Sequence, residues 1–196
     1  MLVQDLATAV ANNKSAPYYL RSDALAWQQA AKSLRGQNPT KRADKFKVAV
    51  RLAKKAQSYG FRGSRAGLVE NLRASALLHE VLEDPKAPEY AEAMLYAGLV
   101  EQNLRELNMG QLDQYYFESC IRQMPHSDLS ERCFASLETA VHEANPLREL
   151  DPQGNWAIQL RLDELRKLSE MRNVSDPPKW QLRRWEHEDP RDSGRN

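Results

Sequence analysis

KFKVAVRLAKKAQSY (Lys45–Tyr59) carries Phe46, Ala49, Val50, Ala53 and Ala56 at steps of three and four, with Lys47, Arg51, Lys54 and Lys55 on the opposite arc. That is the period of an α-helix with one apolar face and one basic face. Outward from it the same period recurs. Leu112, Tyr115, Tyr116, Cys120 and Met124 form a stripe in Gln111–Met124, and Leu129, Cys133, Leu137, Ala140 and Val141 form the next. From about Trp156 to Arg172, Ile158, Leu162, Leu165 and Leu168 make a further amphipathic helix, suited to cap one end of a stack. The alternating Val/Ile/Thr runs and Asn-Gly turns of strands are missing throughout.

Helix-breaking or turn-forming residues cluster at Asn13–Pro17, Gly36–Thr40, Gly60–Ser64, Asp84–Pro88, Asn108–Gly110, Pro125–Ser127 and Asn145–Gly154. The segments between them have ordinary helix lengths, and such short links make neighbouring helices antiparallel. The expected fold is therefore all-α: stacked antiparallel helical hairpins forming one domain over residues 1–173. The remainder, 174–196, is too polar and proline-rich to form a core and is expected to be a flexible tail.

AMLYAGLVEQNL (Ala93–Leu104) resembles the first helix of a tetratricopeptide repeat (TPR), with Ala97–Gly98 as its close-packing pair and Leu104 further along. YYFESCIRQMP (Tyr115–Pro125) resembles the second helix, with Phe117, Cys120 where a small residue is usual, and the closing Pro125. Phe134–Ala135 repeat the close-packing pair. The link between Leu104 and Phe117 is about three residues longer than in the usual repeat, and Asp113 stands where an alanine is expected. The resemblance covers about 93–135 and implies a TPR-like α-solenoid that binds a peptide or protein. YYFESCIRQMPHSDLSERCF (Tyr115–Phe134) also looks like exported bacterial repeat proteins that pair two cysteines around such a turn.

Hydrophobic residues make up 41% of the 196-residue chain and charged residues 28%, an ordinary soluble composition. No stretch is long and apolar enough to span a bilayer. Residues 1–11 lack the basic start of a signal peptide. The expected location is the periplasm if a leader has been removed, and the cytoplasm otherwise. The net charge of +1 conceals a segregation: eleven Lys and Arg against Asp44 between Lys32 and Arg65, then sixteen acids against six bases between Ala66 and Asp151. The basic segment either faces a partner or matches the acidic half within the fold.

No catalytic constellation is legible. His79, His126, His142 and His187 form no HExxH, and Glu138–His142 lacks further ligands at metal spacing. GFRGSRAG (Gly60–Gly67) is not a phosphate loop, and its GFRG, which fits the clamp of KH domains, lacks their flanking strands. There is no nucleophile elbow. The expectation is a non-enzyme with no cofactor and no metal.

Cys120 and Cys133 lie at nearly equal offsets from the Pro125–Ser127 turn, on apolar stripes, which puts their α-carbons within about 7 Å. They form either a disulfide, pointing to export, or two small buried thiols. The candidate partner-binding residues are Lys47, Arg51, Lys54, Lys55, Arg62 and Arg65 on the basic segment, with Trp180 and Trp185 beside the tail arginines. The functional expectation is a scaffold or adaptor holding a protein or peptide on a helical-repeat surface. The alternative is a nucleic-acid-associated protein using the basic hairpin 41–65.

Overall fold

A computed structural model describes residues 2–59, 65–105, 111–144 and 152–170, with the side chains of 2, 3 and 152–155 left aside. Among these the chain forms eight helices and no strand: α1 (Leu2–Asn12), α2 (Tyr18–Leu34), α3 (Arg42–Gln57), α4 (Leu68–Leu82), α5 (Tyr90–Leu104), α6 (Leu112–Gln123), α7 (Asp128–Ala144) and α8 (Pro152–Ser169). The Val174–Asn196 tail lies outside the described residues.

Local chemistry sets the helix ends. Gly36, in the left-handed region at φ 80°, lets the chain leave α2. Asp44 in the first turn of α3 and Lys54 and Lys55 in its last turn match the helix dipole. At α7, the Ser127 hydroxyl accepts the Ser130 N–H at 3.1 Å and Ser130 Oγ accepts the Ser127 N–H at 3.0 Å, a reciprocal cap. Helix α8 begins earlier than the apolar stripe indicated, at Pro152, because proline's missing N–H costs nothing in a first turn. Gly154, expected in a break, is its third residue.

From α3 onward each helix packs on the next in sequence, and α3 also meets α5, α5 meets α7 and α6 meets α8. Helix α1 packs on α2, which meets α4. Two apolar cores result. One joins Leu52, Leu77, Leu78, Val81, Ala97 and Val100 across α3–α5. The other joins Leu95, Phe117, Ile121, Leu137 and Leu165 across α5–α8. Leu82 and Leu99 pack against both, so the cores are continuous.

Helices α5 and α6 approach closely at Gly98, buried in α5: a β-carbon there would overlap the ring of the fully buried Phe117 on α6. The Ala97–Gly98 pair thus does what close packing requires. Phe134 is buried, but Ala135 is exposed, so the second pair expected from the resemblance closes on nothing.

The stripe assigned to α6 needs correction. Leu112, Tyr115 and Met124 are exposed, whereas Asp113, Gln114, Phe117, Cys120 and Ile121 are buried. The inward arc lies about one residue round from the one drawn through the larger apolar side chains. Asp113 tolerates burial because the Arg105 guanidinium from the end of α5 pairs with it. The neighbouring stripes hold: Cys133, Leu137, Ala140 and Val141 are buried in α7, and Leu162 and Leu165 in α8.

Candidate binding surface

Helix α3 buries Ala49, Leu52, Ala53 and Ala56, which leaves its basic residues on the rim and the outer face. Those on the rim are consumed by the acidic half. Arg42 pairs with Asp84, Lys45 Nζ lies 2.5 Å from Glu80, and Lys55 Nζ lies 2.9 Å from Glu70. The Lys45 ammonium holds the Glu80 carboxyl below its ordinary range. Glu70 is fully buried in α4 and also accepts a hydrogen bond from the Tyr59 hydroxyl at 3.2 Å. The Glu70 hydrogen bond raises the Lys55 pKa against the cost of burial.

Lys47, Arg51 and Lys54 point outward and are exposed. At spacings of four and three they lie on one helix face. Arg51 donates to Gln37 Oε1 at 2.7 Å, and Lys54 Nζ sits 5.9 Å from the centre of the Tyr96 ring on α5. Phe46 meets the same ring edge-on at 6.2 Å, which ties the basic face to an aromatic floor shared by α3 and α5. Lys55, grouped with these three on the sequence, is exposed as well, and its ammonium pairs with the buried Glu70 carboxylate. Arg65, in the link between α3 and α4, is exposed, and its carbonyl accepts the Trp27 indole N–H. Arg62, Trp180 and Trp185 lie outside the described residues.

One polar cluster was not anticipated. His79 Nε2 on α4 lies 2.8 Å from the Tyr116 hydroxyl on α6, and Ser75 Oγ donates to Glu101 Oε1 on α5 at 2.7 Å. His79 Nδ1 is 3.4 Å from Ser75, too long for a strong bond. Burial, then the nearby Glu101 charge, pushes the Tyr116 phenol up, the opposite of an activated nucleophile. The cluster joins three helices as a strut. Its signal in the sequence was only the Ser75/His79 spacing of one helical turn, which cannot reveal partners on other helices.

Cys120 and Cys133 are bonded as a disulfide between α6 and α7, with α-carbons 6.3 Å apart and both residues fully buried. Among the described residues no group of His, Cys, Asp or Glu could hold a metal ion, and no helix is long and apolar enough to cross a membrane. Comparison with family models, curated proteins and solved structures gives no match.

Proposed function

We propose that this chain is a non-catalytic scaffold, a TPR-like stack of helical hairpins that holds an acidic peptide or protein segment against the outer face of α3. The stack is supported by the way α3 meets α5 and α5 meets α7, with α4 packed on both α3 and α5, α6 on both α5 and α7, and α8 on α6 and α7. The observation that carries the partner's chemistry is the division of the basic helix. Its rim cations are matched by acids, whereas Lys47, Arg51 and Lys54 stay exposed on one helix face, Lys54 lying over the Tyr96 ring. Three like charges on one helix face repel one another in the free protein, and an acidic segment relieves that cost. The disulfide is compatible with a periplasmic setting.

The test is fluorescence anisotropy of a short labelled Asp/Glu-rich peptide, with a single-stranded oligonucleotide as competitor. Replacing Lys47, Arg51 and Lys54 by Glu is expected to weaken peptide binding by about tenfold or more, since each cation contributes about 0.5 kcal/mol. Unchanged affinity would remove α3 as the binding face. A steep salt slope with the oligonucleotide bound more tightly than the peptide would move the reading to nucleic acid.

A further inference from the structure

The N-terminal hairpin leaves several of its large apolar side chains uncovered. Among the described residues its buried hydrophobic side chains are alanines: Ala7 on α1, with Ala24 and Ala30 on α2. Trp27 and Leu34 are half-buried, but several of its other large apolar side chains face out. Leu6 is 60% exposed, Val10 39%, Tyr18 79%, Tyr19 65% and Leu25 48%. Elsewhere in the fold the cores combine alanines with larger side chains such as Leu77, Leu78, Phe117 and Ile121. Helix α1 is held by α2, through Gln28 donating to the Thr8 hydroxyl and Arg35 donating to Gln4. Leu6 and Val10 lie one turn apart on the face away from that contact.

Charge says what covers this face. The hairpin up to Ala31 carries two acids, Asp5 and Asp23, and two bases, Lys14 and Arg21, in contrast to the strongly basic and strongly acidic segments that follow. Such a face offers little to a highly charged partner. Along α1 the charges are polar: Asp5 stands in the first turn and Lys14 just beyond the last. Two such helices laid antiparallel place Leu6 of each against Val10 of the other and set each Asp5 towards the opposite Lys14. Parallel alignment would set like charge on like.

We propose that the α1–α2 hairpin is a self-association surface, on which two copies of this chain pair isologously and antiparallel through Leu6 and Val10 into a four-helix bundle. The surface is independent of the α3 face, so it stands whether or not an acidic segment binds there. In the dimer Leu6 and Val10 of both copies are covered, and the α3 faces of both copies are held in one particle.

Sedimentation equilibrium of the full chain tests it, with circular dichroism to establish that each variant is folded. The chain is expected to be dimeric at tens of micromolar. Leu6→Glu/Val10→Glu, at exposed positions the monomer does not need, is expected to raise the dimer dissociation constant about a hundredfold. A chain monomeric throughout that range, or a dimer indifferent to the double substitution, overturns the proposal. A second experiment tests the antiparallel pairing. Asp5→Lys and Lys14→Asp copies, each weakened alone, are expected to form a heterodimer in preference to either homodimer when mixed. Absence of that preference overturns the arrangement.

Discussion

At Gly98 a single hydrogen atom decides how close α5 and α6 come, because the Phe117 ring occupies the space a methyl group would need. Alanine is the better helix former by about 1 kcal/mol, but overpacking a closed core costs about 1–3 kcal/mol. Gly98→Ala is therefore expected to lower the urea midpoint, and Phe117→Leu in the same chain to recover part of the loss. Strict additivity of the two changes in denaturation would show that the residues do not share this contact. Lys55 shows the same dependence of a residue on its surroundings. From its position on α3 it belongs with Lys54, yet it reaches Glu70, whose buried carboxylate needs a cation.

Between elements, two links hold the C-terminal helices. The Cys120–Cys133 bridge joins α6 to α7 across a sequence separation of 13. Replacing both cysteines by alanine is expected to cost about 3 kcal/mol of stability, chiefly through the loop-closure entropy returned to the unfolded chain. Urea melts of the wild type with and without reductant supply the check, and coincident curves would deny the bridge any contribution. The second link is Glu118 on α6, which accepts hydrogen bonds from Arg161 on α8 at 2.9 Å and from Arg122 at 3.0 Å. Burial pushes this carboxyl up, but the two guanidinium groups outweigh it and hold the pKa below the ordinary glutamate value of 4.5. A carboxylate lowered in the fold binds fewer protons there than in the unfolded chain. Its contribution is present above the ordinary value and is lost as pH falls through the lowered one. Melting temperature should accordingly drop more steeply below about pH 4.5 in the wild type than in Glu118→Gln.

Over the whole molecule, stability is expected to be uneven. Helices α3 to α8 share two cores joined by Leu82 and Leu99, whereas α1 rests on α2 through alanine-lined contacts. Amide hydrogen exchange at concentrations where the chain is monomeric should show α1 opening first and the middle of α4 to α6 last. Protection in α1 equal to that in α5 would mean that the hairpin is complete without a second copy. The molecule thus carries two separate surfaces: a basic face on α3, and an apolar face on the N-terminal hairpin.

The sequence by itself determined that the chain is helical, where most helices begin and end, and that Cys120 and Cys133 would meet. These depend on local signals, a period of three to four residues and Gly/Pro punctuation, together with one short turn that fixes offsets across a hairpin. What it could not determine was which arc of α6 faces inward. That arc is decided by Arg105 reaching Asp113 and by the fit of Phe117 on Gly98, both contacts with α5 across a link of unguessed geometry. The fate of the basic segment was likewise open, since charge counts along a chain say nothing about which side chains meet. Only the packing of α3 on α4 separated Arg42, Lys45 and Lys55, matched by acids, from Lys47, Arg51 and Lys54, left facing outward, because ion pairing needs a few ångströms of proximity that tertiary structure alone supplies.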